Sequence, residues 1–186
     1  MLSDDNDIQL SEHTLKALQE FYKEQEEKSL SENTHNNSIL VEEDWKFSQF
    51  WYDETTAKTL ARIALKAAGE NGKIACVSCP SAYAQIKELH PDSDGHYLFE
   101  YDKRFQERFP EHFVYYDYNY PLNIDKKFKS YFDTVIVDPP YLSEECLQKT
   151  SETVQYLTKE KIVLCTGAVM EDCAKKLLGV IATNFR

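Results

Sequence analysis

The stretch FDTVIVDPPYLSEECLQKT, residues 132–150, decides the fold of this 186-residue chain. An apolar run ends in Asp138, Pro139, Pro140 and Tyr141, and a segment with helical periodicity begins at Ser143. Proline has no N–H for a sheet ladder, so the two prolines end the strand. A carboxylate at the end of a buried strand is costly unless something binds it. The stretch therefore predicts a buried strand, a rigid loop carrying a ligand-binding acid, and a helix.

The rest of the chain alternates in the same way. Short apolar runs predict strands at 73–78, 96–100, 113–117, 133–138 and 161–166. Helical periodicity predicts helices at 54–69, 81–89, 143–157 and 169–178. Near-continuous Ile, Val and Leu are typical of strands buried on both faces, so we expect an α/β fold with helices on both faces of a parallel sheet. We assign residues 39–186 to this domain and residues 1–38 to an N-terminal helix (11–27) followed by a mobile linker (28–38).

Composition limits the partners and the compartment. The formal net charge of -11 argues against nucleic acid and favours a basic protein partner. The start of the chain, MLSDDNDIQL, does not resemble a signal peptide, and no apolar run reaches the ~20 residues that cross a bilayer. Five cysteines are typical of free thiols in a reducing compartment, so we expect a cytoplasmic, monomeric protein without a membrane partner.

Three of the predicted strands end in an acid: Glu100, Asp117 and Asp138. Carboxyl ends of parallel strands share one edge of the sheet, which is where such sheets bind ligands. Together the three acids predict an acidic rim for a cationic cofactor that carries hydroxyl and amino groups. The alternative for each acid is a plain turn or helix cap, or for Glu100 a salt bridge with Lys103 or Arg104.

The arrangement resembles the class I S-adenosylmethionine-dependent methyltransferases, and DPPY at 138–141 resembles the motif of their amino-methylating branch. Blocks over much of the chain are similar to the lysine methyltransferases that act on translation elongation factor 1A, a group once classed as adenine-N6 DNA methyltransferases. These blocks are DWKFSQFWY (44–52), IACVSCPSAY (74–83), FEYDKRF (99–105), YYDYNYPL (115–122) and VDPPYLSEECLQKTSETV (137–154). The resemblance implies a Rossmann-like sheet, S-adenosylmethionine as cofactor and a lysine of elongation factor 1A as substrate.

The resemblance also implies roles for the loops that follow the strands. We expect the methionine end of the cofactor at Ser78, Pro80 and Ser81, and the ribose hydroxyls at Glu100, with Asp102 as the alternative. The adenine amino group is expected at Asp117, with Tyr118 or Tyr116 beside the ring. The aromatic group Trp45, Gln49, Phe50, Trp51 and Tyr52 is either core or part of the site. Trp51 is our candidate for a cofactor contact.

The DPPY loop is the predicted catalytic element. We expect the Asp138 carboxylate and the Pro139 carbonyl to accept hydrogen bonds from the target amine, which aims its lone pair at the methyl group. Pro139 and Pro140 would stiffen the loop, and Tyr141 would pack on the substrate. Cys76 and Cys79 have the spacing of a metal pair, but no second pair exists, so we expect two packed thiols and no metal.

Two departures from the resemblance leave alternatives open. Cys79-Pro80-Ser81 stands where many class I methyltransferases have a glycine-rich turn. The full fold usually ends in two further strands, and the last residues, VIATNFR, supply at most one, so we expect the sheet to be incomplete at its C-terminal end. The alternatives to lysine methylation are adenine-N6 methylation of RNA or DNA, and an inactive, truncated methyltransferase fold.

Overall fold

The computed structural model describes residues 41, 43–44 and 49–183. The predicted N-terminal helix and linker, and Trp45, lie outside these residues. Within the described part of the chain, no helix is long and apolar enough to span a bilayer.

Five strands and five α-helices follow one another along the chain. The strands are β1 (Ile74–Val77), β2 (His96–Glu100), β3 (Phe113–Tyr115), β4 (Phe132–Val137) and β5 (Thr158–Leu164). The helices are α1 (Glu54–Ala68), α2 (Pro80–Leu89), α3 (Arg104–Arg108), α4 (Glu144–Leu157) and α5 (Glu171–Leu178). The α/β prediction is confirmed. Helix α3 was not predicted, β3 ends before Asp117, and β5 begins three residues earlier than expected.

The strands form one parallel sheet in the order β3-β2-β1-β4-β5. Val77 at the end of β1 lies level with Phe99 on one side and with Val137 on the other. All carboxyl ends therefore meet at one edge, which we call the carboxyl edge. The strand order reverses between β1 and β4, and an open α/β sheet binds ligands at such a point. In the described residues no strand follows β5.

Alternate residues of β1 explain why its whole sequence is apolar. Ile74 and Cys76 face one side of the sheet, in a core with residues of α1 and α2 such as Leu60 and Tyr83. Ala75 and Val77 face the other side, in a second core that includes Val154 of α4. All four residues of β1 are fully buried, as expected for a central strand covered on both faces.

Capping side chains fix the start of two of the helices that follow segments at the carboxyl edge. The Asp53 carboxylate accepts the backbone N–H of Thr56 at 2.8 Å and begins α1. The Ser143 hydroxyl accepts the N–H of Cys146 at 3.2 Å and begins α4, two residues after Tyr141. Each cap satisfies a backbone donor that the helix itself leaves free, so the preceding loop has a defined end point.

Candidate active site

A cavity of about 430 Å³ opens at the carboxyl edge of the sheet. Its walls come from the loops after β1, β2, β3 and β4 and from the segment before α1. All the residues that the sequence analysis assigned to catalysis or cofactor binding line it: Trp51, Ser78, Pro80, Ser81, Glu100, Asp117, Tyr118, Asp138, Pro139, Pro140 and Tyr141. The structure thus brings these residues together, and their individual roles remain predictions.

Asp138 follows the last residue of β4 and is held on both sides. Its backbone N–H donates to the carbonyl of Val77 at 3.1 Å. Its side-chain Oδ2 accepts a hydrogen bond from the hydroxyl of Tyr52 at 2.6 Å. Burial raises the pKa of Asp138 to about 6, and the Tyr52 hydrogen bond opposes that increase. The carboxyl group is therefore desolvated but still largely ionised at neutral pH.

The loop after Asp138 runs from the cavity wall to its mouth. Pro139 and Pro140 are half-buried, whereas 44% of Tyr141 is exposed. The Tyr141 ring lies 5.6 Å from the Tyr118 ring, centroid to centroid. Two tyrosines therefore flank the mouth near the Asp138 carboxylate.

Glu100 ends β2 and is only 8% exposed. Its Oε1 accepts the backbone N–H groups of Tyr101 at 2.8 Å and of Asp102 at 3.1 Å. No described residue donates to Oε2. Burial raises the pKa of Glu100 to about 7, despite the two backbone hydrogen bonds that lower it. This side of the cavity therefore presents a carboxyl oxygen, Oε2 of Glu100, to which no described residue donates a hydrogen bond.

Asp102, the alternative to Glu100, is used elsewhere. Its carboxylate accepts the side-chain amide of Gln49 at 2.8 Å and forms a 2.6 Å ion pair with Arg104. These contacts keep the pKa of Asp102 below its usual range even though burial opposes them. Asp102 does not line the cavity, and Arg104 pairs with Asp102 rather than with Glu100. Of the two acids, only Glu100 faces the cavity.

The loop after β3 carries Asp117 and two tyrosines with different surroundings. Asp117 is half-buried, and its Oδ1 accepts the backbone N–H of Asn119 at 2.9 Å. Tyr116 is 3% exposed, and its hydroxyl lies 3.0 Å from the Thr153 hydroxyl, so its polar end belongs to the core. Tyr118 is half-buried and faces the mouth beside Tyr141. Of Tyr116 and Tyr118, the two candidates for a ring beside the adenine, Tyr118 is therefore the more accessible.

Residues of the turn between β1 and α2 line the cavity. Ser78 has a φ of 53°, and its backbone N–H donates to the carbonyl of Phe99 at 2.9 Å. Pro80 occupies the first turn of α2, where its missing N–H costs nothing. Cys79 is buried, its Sγ lies 3.5 Å from the carbonyl of Ile136, and burial raises the pKa of its thiol. Among the described residues no group of acids, histidines or cysteines is arranged to hold a metal ion.

The aromatic segment before α1 belongs both to the core and to the site. The indole of Trp51 donates to the carbonyl of Val41 at 2.8 Å, and its ring meets Phe105 edge-on at 5.8 Å. Gln49, Phe50, Trp51 and Tyr52 all line the cavity. The contact between Tyr52 and Asp138 joins residues 86 positions apart. Sequence reasoning missed this contact because no spacing pattern connects the two residues.

Comparisons with known proteins agree with this geometry. The family model described as "Probable N6-adenine methyltransferase" matches residues 43–186. EEF1A lysine methyltransferase 1 of Homo sapiens is 53% identical over 99% of this chain and 86% of its own length. The protein of the same name in Gallus gallus is 52% identical over 100% and 89%. A protein-lysine N-methyltransferase of Caenorhabditis elegans is 41% identical over 99% and 89%.

These matches confirm the predicted methyltransferase. They extend over almost the whole chain and over most of the length of each relative. The chain belongs to the methyltransferase family that includes the EEF1A lysine methyltransferases 1.

Proposed function

We propose that the chain transfers a methyl group from S-adenosylmethionine to the ε-amino group of a lysine in translation elongation factor 1A. The names of its relatives support this substrate. The observation that carries the proposal is the DPPY loop, whose half-buried Asp138 carboxyl group lies in the same cavity as Glu100 and Asp117. The five free cysteines fit a protein of the reducing cytoplasm.

The residues present fit S-adenosylmethionine. A volume of about 430 Å³ lies within the range of small-molecule sites. No described residue donates to Oε2 of Glu100, and a ribose hydroxyl is a suitable donor for it. Trp51 and Tyr118 offer flat apolar surface for an adenine, and the first turn of α2 has backbone N–H groups that suit a carboxylate.

Each of these residues would hold one part of the cofactor. Glu100 would bind the ribose, and Asp117 would bind the adenine amino group. The methionine end would lie at the turn formed by Ser78, Pro80 and Ser81. When bound, S-adenosylmethionine supplies an electrophilic methyl group on a positively charged sulfur.

The chain's own contribution to the reaction is to position the amine. The Asp138 carboxylate accepts a hydrogen bond from the target N–H, and the Pro139 carbonyl accepts a second. With two N–H groups fixed, the lone pair has one direction left, and this positioning supplies much of the rate enhancement. Tyr118 and Tyr141 flank the lysine stem and attract the positive charge that develops on the nitrogen.

A lysine must lose a proton before it can react, because its usual pKa is ~10.4. Desolvation between the tyrosines lowers the pKa of the amine, whereas the negative charge of Asp138 raises it. Asp138, with a pKa of about 6, is a weak base for this proton. We therefore assign Asp138 to orientation of the amine, and the proton leaves to water at the open mouth.

The proposal is tested with labelled S-adenosylmethionine and three acceptors: elongation factor 1A, total RNA and DNA. We expect label in a lysine of elongation factor 1A. Asp138→Asn should lower kcat by roughly 100-fold, the order expected when a positioning contact at the reacting group is lost, and should leave cofactor affinity almost unchanged. Asp133→Asn, at the opposite end of β4, is the matched control. Label in nucleic acid alone would contradict the substrate, and an unchanged kcat in Asp138→Asn would contradict the role of Asp138.

A further inference from the structure

We propose that Tyr52 is a positioning residue for Asp138, holding one carboxylate oxygen so that the other faces the target amine. This inference rests on the proposed function, because it concerns the geometry of the same reaction. Tyr52 is not part of the DPPY motif and belongs to the segment before α1.

Tyr52 is anchored independently of Asp138. It directly precedes Asp53, whose side chain caps α1. On its other side, the backbone N–H of Trp51 donates to a carboxylate oxygen of Glu43 at 2.6 Å, and the Trp51 indole donates to the carbonyl of Val41. The phenol is thus carried by a segment fixed at both ends. A fixed donor restricts the rotation of a carboxylate more than a mobile one does.

The hydrogen bond divides the two oxygens of Asp138 between two tasks. The Tyr52 hydroxyl donates to Oδ2 at 2.6 Å, a short distance typical of a bond to an ionised acceptor. No described residue donates to Oδ1. The backbone N–H of Asp138 is fixed to Val77, so the main chain does not turn the carboxylate away. Oδ1 is therefore the oxygen that remains for the amine.

The same bond favours the charged form of Asp138. The titratable groups around Asp138 are Tyr52, Cys79 after β1 and Cys165 after β5. Burial raises the pKa of all three, so they are neutral at physiological pH. No lysine or arginine among the described residues is close enough to lower the pKa of Asp138. The Tyr52 hydrogen bond is the contact that keeps this pKa near 6 against burial.

Removal of the Tyr52 hydroxyl should raise the pKa of Asp138. Without its donor, Asp138 holds its proton up to a higher pH, and less of it is ionised at pH 7. The acid limb of the kcat/KM profile therefore moves to higher pH. A purely structural role of Tyr52 would not move that limb, because loss of packing changes stability rather than an active-site pKa.

The first experiment compares the wild type with Tyr52→Phe and Tyr83→Phe in the methylation of elongation factor 1A. Both variants keep the ring and lose one hydroxyl that donates a hydrogen bond. Tyr83 donates to the carbonyl of His96 at 3.3 Å in the core and does not line the cavity, so it is the control. In Tyr52→Phe we expect kcat at pH 7 to fall about tenfold and the acid midpoint to rise by roughly one pH unit, the usual size for loss of a hydrogen bond to a charged group. A folded Tyr52→Phe with an unchanged midpoint would overturn the inference.

The second experiment needs neither substrate nor a folded variant. Tyrosine is labelled with ¹³C at Cζ in the wild-type protein, and the Tyr52 resonance is followed by NMR as the pH changes. It should report the titration of Asp138 with a midpoint of about 6. A Tyr52 signal that does not change near that pH would overturn the inference. If the wild type fails to methylate elongation factor 1A, the proposed function fails, and this titration still decides the link between Tyr52 and Asp138.

Discussion

Two acids that line one cavity, Asp138 and Glu100, differ in what their carboxyl groups contact. Among the described residues, Asp138 has one side-chain donor, Tyr52, whereas Glu100 has two backbone donors, both on Oε1. Burial raises the pKa of both, to about 6 for Asp138 and about 7 for Glu100. Glu100 therefore keeps a strong demand for a further donor, which is what a hydroxyl-bearing ligand supplies.

This difference predicts that cofactor affinity depends on pH through Glu100. In the free protein the carboxyl group has a pKa of about 7 and is largely protonated at pH 6. A ribose hydroxyl that donates to this carboxyl group prefers its ionised form, so binding at pH 6 must first release a proton. The Kd should therefore decrease about tenfold between pH 6 and pH 8, one factor of ten for each unit below the pKa.

Isothermal titration calorimetry with S-adenosylmethionine measures this effect directly. Repeating the titration at pH 6 in two buffers with different ionisation enthalpies should reveal one proton released per cofactor bound. Glu100→Gln should bind S-adenosylmethionine more weakly at pH 8, and its Kd should no longer depend on pH. Glu111 is an exposed acid after α3, and Glu111→Gln should keep the affinity and the pH dependence of the wild type. A wild-type Kd that is constant from pH 6 to pH 8 would contradict the assignment.

At the scale of elements, apolar runs predicted the strands well where burial is continuous. The run 96–100 coincides with β2, and β1 and β4 differ from their predicted bounds by one residue at each end. Helix α3 was missed because it has only five residues, of which Phe105 alone is buried, so it has no apolar period. Strand β3 is shorter than its run because the chain turns after Tyr116, whose side chain enters the core beside Thr153.

The location of the site could be predicted from the sequence in the same way, whereas some of its side-chain contacts could not. Parallel strands share a carboxyl edge, so Glu100, Asp117 and Asp138 could be placed together from the sequence alone. The contacts of Gln49 and Arg104 with Asp102, the alternative to Glu100, could not be predicted from the sequence. Contacts between distant segments depend on side-chain packing that no local pattern encodes.

The turn between β1 and α2 has a testable conformational cost. Ser78 has a φ of 53°, in the left-handed region that glycine adopts readily and other residues adopt at a cost of roughly 1 kcal/mol or more. A serine rather than a glycine therefore occupies this left-handed position. Ser78→Gly should be more stable than Ser78→Ala by about 1 kcal/mol, because both lose the hydroxyl and only glycine relieves the strain.

Urea unfolding followed by circular dichroism compares the two variants at one pH. Comparing variants with each other removes the effect of the lost hydroxyl. Ser93→Gly and Ser93→Ala, in the loop before β2 where no positive φ occurs, provide the matched control and should not show the same difference. Equal stability of the two Ser78 variants would show that the turn is not strained.

For the whole molecule, net charge agrees with a protein substrate. A formal charge of -11 repels the phosphates of RNA and DNA and attracts a cationic side chain such as lysine. Lys149 near the mouth does not offset this, because its ammonium pairs with Glu145 at 2.7 Å. The long-range electrostatic field of the molecule therefore favours a lysine substrate over nucleic acid.

The two ends of the sheet respond to acid in opposite directions. At the carboxyl edge, the pKa values of Glu100 and Asp138 are raised, so protonation as the pH falls stabilises the folded state. At the amino end of β2, His96 is 2% exposed, neither ring nitrogen has a partner in the described residues, and burial lowers its pKa to about 4. The pH dependence of the free energy of unfolding combines these effects, so the contribution of His96 has to be measured as a difference between the wild type and a variant without His96.

We predict that His96 destabilises the fold in mild acid. In the unfolded chain a histidine takes up its proton near pH 6.5, whereas in the folded state it does so only near pH 4. Between these values the unfolded state binds more protons, so stability decreases as the pH falls. From pH 7.5 to pH 5 the wild type should lose about 2 kcal/mol relative to His96→Phe, in which the carboxyl groups still titrate.

His90 is an exposed neighbour whose ring lies 6.0 Å from that of His96, and His90→Gln should follow the wild type closely. Urea unfolding of the three proteins at both pH values gives the six free energies needed, and parallel pH curves for the wild type and His96→Phe would contradict the prediction.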